Sequence, residues 1–240
     1  MRDILLGLKN KPFIRNVIVL TSGTAAAQAI GIILSPVITR LFGPEAYGLM
    51  GTFSAMVTII APVAALTFPI AIVLPKNDTE AKGLIRLSMV ITIVISIFAG
   101  LLLIFFHEQI VHIFNLDSIA SFLFLLPFVI FSAGFLQIIE QWLIRTKQFH
   151  VSAKATFLQA LLIHGGKVGV GLFYPVAWVL IIFTALAQGL KAVLLMFLSR
   201  KSGRNRILFT AKEKVSFKFL FKKYNDFPLF RAPEVFLNAI

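Results

Sequence analysis

Five side chains that can bind an anion or hydrogen-bond to a ligand lie inside stretches of sequence that are otherwise apolar: Gln28, His164, Lys167, Gln188 and Lys191. Ammonium groups attract anions, and amide and imidazole groups hydrogen-bond to oxygen-rich ligands. Such groups are costly inside an apolar helix, so they commonly mark a binding site or a pathway. Arg40, just beyond the first apolar stretch, adds a third cation. We therefore predict that these six residues bind an anionic ligand, such as a phosphate or an acidic sugar.

The positions of the two lysines leave a second interpretation open. Lys167 and Lys191 each lie several residues from an end of their apolar stretch, so either side chain could extend its charge toward the membrane surface or join a structural pair. The one acidic residue inside these stretches, Glu140, is close to a stretch end, and we expect it at the membrane interface. The resulting excess of buried positive charge favours the anionic ligand.

A polar stripe follows one face of the first apolar stretch, and its members are Thr21, Thr24, Gln28, Ser35 and Thr39. At about 100° per residue, all five fall within a narrow arc of a helix. A stripe of this kind faces either another helix, through its small hydroxyls, or a water-filled cavity. The mid-span amide of Gln28 favours the cavity, and both interpretations stay open.

The elements that carry these residues are long apolar segments. Of the 240 residues, 58% are hydrophobic and only 14% are charged, whereas a soluble domain has about 25% charged residues. A membrane helix needs roughly 20 apolar residues, and the runs here lack the alternation of barrel strands. The sequence therefore predicts an all-α fold, a polytopic transmembrane helix bundle within residues 1–198. Its six complete spans are predicted at residues 16–38, 49–74, 87–106, 119–144, 155–173 and 176–198.

The basic residues of the loops alternate between the two sides of the membrane. The amino-terminal segment has four, the second loop three, the fourth loop three and the sixth loop nine, against the single Arg40 in the other loops. By the positive-inside rule, the amino terminus and the basic loop at 199–226 are cytoplasmic. The net charge of +13 thus reflects topology, and because the basic residues are divided among loops we expect no nucleic-acid partner.

Residues 227–240 read as the start of a seventh span that stops too early to cross a membrane. We expect the chain to be a fragment or the product of a truncated reading frame. An interfacial amphipathic tail is the alternative.

Several kinds of chemistry have no support in the sequence. With no cysteine, disulfides and thiolate metal sites are excluded, and no Cys/His cluster suggests a metal or another cofactor. No Ser-His-Asp set, carboxylate pair or phosphate-binding loop can be assembled, so we do not expect an enzyme. Gly165 and Gly169 form a GxxxG motif, which we expect to pack against another helix.

Residues 36–48 read Pro-Val-Ile-Thr-Arg-Leu-Phe-Gly-Pro-Glu-Ala-Tyr-Gly. This stretch resembles the first outer loop of the polysaccharide exporters, which are lipid-linked oligosaccharide flippases of the larger MOP group. Residues 69–75 and 224–228 support the resemblance, which runs along the whole chain. The Gly-Pro-Glu-Ala-Tyr-Gly block is its most specific part.

The resemblance implies 12 to 14 spans in two pseudo-symmetric halves around a central, often cationic cavity. It implies that a polyprenyl-diphosphate-linked glycan, the repeat unit of O-antigen lipopolysaccharide or of a capsule, moves from the cytoplasmic to the periplasmic leaflet. The bacterial inner membrane and polysaccharide polymerase machinery are then the expected surroundings and partner. This chain departs from the pattern by stopping after the first half.

The combined hypothesis assigns the diphosphate to the three cations Arg40, Lys167 and Lys191, and the sugar or phosphate oxygens to Gln28, His164 and Gln188. Because the family's motifs do not fix the substrate residues, this assignment rests on buried charge. Two alternatives remain: a cation-coupled multidrug exporter of the same superfamily, and a membrane-embedded glycan polymerase or acyltransferase. The first requires a buried acidic residue and the second a large outer loop.

Overall fold

The computed structural model describes residues 12–200 and 215–238, with side chains from residue 17 onward, and contains helices and no strand within them. The predicted all-α fold class is confirmed. The basic residues before position 12 and those at 201–214 lie outside the described residues. The helices are α1 (Pro12–Ile60), α2 (Asp78–Phe114), α3 (Leu126–Arg145), α4 (Phe149–Gly171), α5 (Ala177–Arg200), α6 (Phe217–Lys223) and α7 (Ala232–Leu237).

Four described segments are long and apolar enough to cross a membrane: Val17–Val63, Asp78–Phe114, Asp117–Arg145 and Ala177–Arg200. They cover the predicted spans at 16–38, 87–106, 119–144 and 176–198, together with part of 49–74. Helix α4, which contains most of the predicted span 155–173, is not among them. The presence of several membrane-length helices is thus established, while the number of six spans stays a prediction.

Helix α1 is a hairpin of two limbs, 12–42 and 44–60, broken at Gly43. The backbone at Gly43 has φ 76° and ψ 168°, a combination that essentially only glycine adopts. Ser35 Oγ and Tyr47 Oη lie 3.3 Å apart across the break, whereas twelve residues of straight helix would advance about 18 Å. The first predicted span and the first part of the second are therefore antiparallel limbs of one hairpin. The predicted loop at 39–48 is mostly helical.

The second limb ends at Ile60, inside the predicted span 49–74. Residues Ala61–Val63 and Phe68–Val73 form 3₁₀ turns, and Leu66 and Thr67 have positive φ angles of 47° and 57°. Prolines at 62 and 69 lack the backbone donor that a continuous helix needs. Because Gln137 Nε2 donates to the carbonyl of Ala61 at 2.7 Å, one carbonyl freed by the broken helix remains hydrogen-bonded.

Helix α4 runs parallel to the first limb of α1. A methyl group on Gly23 would lie 2.6 Å from Ala153 Cβ, and one on Gly171 would lie 2.5 Å from Phe42 Cε2. Residue numbers rise together along both helices, so both enter from the same end of the bundle. We call this end, which carries Arg145, Lys147 and Lys154 around the short α3–α4 connection, the basic end. The parallel pairing agrees with spans that alternate in direction.

The glycines that allow close packing are not those of the GxxxG motif. A methyl group on Gly165 or Gly169 would meet nothing within 4 Å, whereas one on Gly166 would clash with the Phe183 ring of α5. The expected packing of the motif is therefore wrong for the described part of the chain. Gly166 and Gly171 provide the close contacts of α4 with its neighbours.

The carboxyl-terminal part of the described chain covers the interrupted second limb. Helix α6 buries Leu220 completely against Gly83 of α2. A π-helical turn, Phe227–Arg231, then leads into α7, and Thr67 Oγ1 donates to the carbonyl of Phe227 at 2.9 Å. The predicted start of a seventh span at 227–240 is thus helical through Leu237, and residues 239–240 lie outside the described residues.

Candidate substrate-binding surface

The polar stripe of α1 lies on the outside of the described bundle. Thr21, Thr24, Gln28 and Thr39 are exposed, and Ser35 is half-buried. The hydroxyls of Thr24 and Thr39 donate to carbonyls one turn earlier on their own helix, at 3.0 and 2.9 Å. Within the described residues, Ser35 is the one member of the stripe whose side chain has a hydrogen-bond partner outside the first limb, namely Tyr47 of the second limb. The stripe is therefore a polar surface, which we call the polar face, and it retains free acceptor lone pairs.

Gln28 stands at the middle of the polar face. Its neighbour Ala27 is buried, and Gln28 lies about 100° further round the helix, where it is exposed. Its amide has no hydrogen-bond partner among the described residues. A free amide at this depth suits a ligand or water far better than hydrocarbon.

Arg40 lies at the other end of the first limb, three residues before the break at Gly43. It is exposed, and no described carboxylate forms an ion pair with it. With Pro36, Val37 and Leu41 it lines a shallow cavity of about 360 Å³. The guanidinium, which offers five donors, is therefore available to an anion at the end away from the basic end.

The His164 ring of α4 packs against Gly31 in the first limb of α1. A methyl group on Gly31 would lie 3.3 Å from His164 Nε2, so the ring needs the glycine's open space. His164 Nδ1 is buried and has no hydrogen-bond partner. Because buried ring nitrogens are normally paired, this nitrogen is a candidate for a ligand or water contact.

Lys167 is buried, with 7% of its surface exposed. Its ammonium donates to Thr184 Oγ1 at 3.2 Å and lies 3.3 Å from Met50 Sδ. No described carboxylate pairs with it. The lysine is thus enclosed between the second limb of α1, α4 and α5, and does not extend its charge to the surface. A buried cation without a carboxylate is energetically unfavourable and attracts an anion.

Lys191 is in a different electrostatic environment. Its ammonium lies 2.7 Å from Glu140 Oε1, and both side chains are partly buried. This arrangement is the structural pair that the sequence left open as an alternative, and it removes most of the expected excess of positive charge here. The pair lines a cavity of about 290 Å³ that also contains Thr24 of the polar face, together with Ser152 and Thr156.

The structure does not gather the six predicted residues into one pocket. Lys167 contacts Thr184, which precedes Lys191 by seven residues on α5, or about 10 Å. Gln188 is half-buried without a described hydrogen-bond partner. The predicted residues instead lie along two adjoining features, the polar face of α1 and the α1–α4–α5 junction.

Glu140 is the functional candidate that the sequence prediction left out of the site, because it was expected at the membrane interface. Glu140 and Lys191 are the only opposite charges inside the apolar stretches that lie toward the same membrane side. Combining that position with their opposite signs could have predicted the pair. Ser152 and Thr156, one helical turn apart on α4, carried no comparable signal because isolated hydroxyls are common in membrane helices.

Comparisons with known proteins give one result about family. A family model described as "Polysaccharide biosynthesis protein" matches residues 37–222, which is well over half of the chain. No curated protein and no solved structure matches the chain. The matched range includes the Gly-Pro-Glu-Ala-Tyr-Gly block, the buried Lys167 and the Glu140–Lys191 pair.

Proposed function

Because this chain belongs to the polysaccharide biosynthesis protein family, we propose that it is a flippase. It moves polyprenyl-diphosphate-linked oligosaccharide repeat units across the bacterial inner membrane, for O-antigen or capsular polysaccharide synthesis. The family and the several membrane-length helices fit a multi-pass membrane protein with a role in polysaccharide synthesis. The transport reaction, the substrate and the inner-membrane location are our proposal.

The observation that carries the proposal is the exposed polar face of α1. An apolar helix of membrane length with an uncovered row of hydroxyls and the free amide of Gln28 cannot present this face to hydrocarbon without a penalty. It requires either water or a second polar surface. A glycan headgroup crossing the membrane requires the same conditions, because its many hydroxyls need hydrogen-bond partners throughout the crossing.

The cations suit the diphosphate. Arg40 is exposed and has no described ion-pair partner, so it can bind a phosphate bidentately at the end away from the basic end. Lys191 can exchange Glu140 for phosphate in the cavity next to Thr24, nearer the basic end. Lys167, buried between them, contributes a positive field without direct exposure. These three positions form a series along the proposed path.

The remaining predicted residues suit the neutral part of the substrate. Gln28 and Gln188 present amides, and His164 presents a buried Nδ1 without a partner. Each can donate to or accept from a sugar hydroxyl. Alternating access of two halves around the polar face would carry the headgroup across, as in other transporters built from repeats. The lipid bilayer holds the polyprenyl chain, and polysaccharide polymerase machinery would receive the product.

The alternative functions agree less well with the observed contacts. A cation-coupled exporter needs an available carboxylate inside the membrane, and Glu140, the only acidic residue in the predicted spans, is paired with Lys191. A membrane enzyme would need a group of catalytic side chains, and no described carboxylate or histidine hydrogen-bonds to a hydroxyl of the polar face. We therefore propose a transporter of glycan.

The test is transport by reconstituted protein. The purified protein is placed in vesicles with a sugar-labelled polyprenyl-diphosphate oligosaccharide, and an impermeant reagent reports the accessible fraction of label. We expect Gln28→Leu and Arg40→Gln to slow transport at least about tenfold, the effect of removing one charged or hydrogen-bonded contact. Ile33→Ala, on the exposed apolar side of the same helix, is the matched control. If the unsubstituted protein moves a fluorescent drug but not the labelled glycan, the proposal is wrong.

A further inference from the structure

Helix α6 has the composition of a helix that lies on a membrane surface. It reads Phe-Lys-Phe-Leu-Phe-Lys-Lys, and Leu220 alone is fully buried, against α2. Phe217, Phe219 and Phe221 are about half exposed. Aromatic residues and lysines together on a short helix beside membrane spans are typical of interfacial helices.

A groove lies between α6 and the π-helical turn at 227–231. It has a volume of about 610 Å³ and is lined mainly by apolar groups, including Leu87, Phe217, Phe221 and Leu229. Leu87 is the first residue of the predicted span 87–106, so the groove begins where the hydrocarbon of the bilayer is expected to begin. A groove of this size and polarity can hold part of an acyl chain.

Two cations line the same groove. Lys218 and Lys222 are four residues apart, and side chains at this spacing are neighbours on a helix surface. Both are exposed, and neither forms an ion pair with a described carboxylate.

Lys223 provides the contrast within the same helix. Its ammonium lies 2.5 Å from Glu80 Oε1, and this hydrogen bond raises the pKa of Lys223 above its ordinary value. Its charge is therefore already satisfied by the protein. Lys218 and Lys222 are left to attract an external anion at the edge of an apolar groove.

We propose that this groove is a binding site for an anionic phospholipid. One acyl chain lies along Phe217, Phe221 and Leu229, and the headgroup phosphate lies between Lys218 and Lys222. A free inorganic anion would gain nothing from the apolar groove. In a zwitterionic lipid, the headgroup's own ammonium neutralises the phosphate and would be repelled by the two lysines. The site is separate from the polar face of α1, and the proposal does not depend on what the protein transports.

The experiment measures lipid binding to the purified chain in a neutral detergent. The chain is titrated with phosphatidylglycerol and with phosphatidylcholine, and bound lipid is counted by native mass spectrometry. We expect phosphatidylglycerol to bind more tightly, and the pair Lys218→Ala/Lys222→Ala to lower its affinity roughly thirtyfold, given the attraction of about 1 kcal/mol that each basic residue near a membrane surface contributes. The matched control Lys147→Ala/Lys154→Ala removes the same charge from exposed positions at the basic end and should leave the affinity unchanged.

Two further variants separate a built site from general charge attraction. Lys218→Arg/Lys222→Arg keeps both charges and should retain binding. Asn225→Trp keeps both lysines but fills the groove, and should lower the phosphatidylglycerol affinity about as much as the alanine pair. Equal affinity for the two lipids, equal losses in both alanine pairs, or full binding by Asn225→Trp would each overturn the proposal. So would displacement of the lipid by millimolar inorganic phosphate, which would indicate an anion site alone.

Discussion

The carboxylate of Glu140 on α3 and the ammonium of Lys191 on α5 lie 2.7 Å apart, beside the cavity that Thr24 of the polar face also lines. The pair joins two helices and places a switchable cation next to the proposed path. Whether it is mainly structural or mainly a binding element is decided by what happens when each member is removed.

Glu140→Gln should reduce the free energy of unfolding by about 1–3 kcal/mol, between the effects known for exposed and buried pairs. The reason is that Lys191 would keep its charge and lose its partner. Thermal unfolding of purified protein in detergent measures the effect. Gln141→Ala, at a neighbouring cavity position without an ion pair, should change stability little.

The double variant Glu140→Gln/Lys191→Gln should recover most of that loss, because neither charge is left alone. In the transport assay it should remain slow, since the cation beside Thr24 is gone. Additive destabilisation of the two single changes would contradict a coupled pair, and normal transport by the stable double variant would remove Lys191 from the proposed path.

Lys167→Met should leave stability unchanged or raise it by about 1–2 kcal/mol, because a buried cation without a carboxylate is replaced by an apolar chain of similar length. Thr184 does not lose its own donation, since its hydroxyl bonds to the carbonyl of Leu180 at 2.8 Å. Transport should fall if the positive field matters. Lys154→Met, at an exposed position, is the control, and a clear loss of stability in Lys167→Met would show that the ammonium is structural.

Gly43→Ala should destabilise the protein by about 1–3 kcal/mol, because Gly43 occupies a backbone conformation that is nearly closed to other residues. A methyl group there would meet nothing within 4 Å, so the effect is conformational and not steric. Gly48→Ala has equally open surroundings but lies in regular helix, where alanine is preferred. Equal melting temperatures for the two variants would count against a glycine-dependent hairpin.

Single cysteines test the orientation, since the chain has none of its own. A cysteine at Asn77, in the loop at the basic end, should be shielded from an impermeant thiol reagent in intact cells. One at Ser118, at the start of the 3₁₀ turn Asp117–Leu125 at the other end of the bundle, should be labelled. Both positions are exposed, so accessibility reports the side of the membrane. Labelling at Asn77 from outside would reverse the predicted topology.

The sequence predicted the features that depend on local composition. Long apolar runs identified the helical class, and the spacing of Thr21, Thr24 and Gln28 identified a polar face that the structure leaves exposed. It did not predict the course of residues 44–73, where a helix ends at Ile60 and 3₁₀ turns follow. Hydropathy does not reveal such breaks, because the residues are apolar whether or not the helix continues. Pro62 and Pro69 were visible signals of bending, but they could not say where the chain would turn.

In the candidate site, too, the residue types were predictable from the sequence and their contacts were not. The sequence marked Lys167 and Lys191 as equivalent buried cations, and their environments differ because one meets Thr184 and the other meets Glu140. Which partner a lysine finds depends on how α3, α4 and α5 pack, and this packing is set by glycine contacts between distant parts of the chain. Contacts of that kind are not visible in residue types or short-range spacing.

The close pairing of α4 with the first limb of α1 has a consequence for how the protein is made. Helix α4 carries His164 and Lys167 and is not among the described segments whose length and hydropathy match those of a membrane span. Its packing partner is the first limb of α1, where Gly23 and Gly31 leave room for Ala153 and His164 of α4. This limb is synthesised before α4. We expect the α1 hairpin to insert into the bilayer first and α4 to insert later by packing against it. A defect in the hairpin would then appear first as failed insertion of α4.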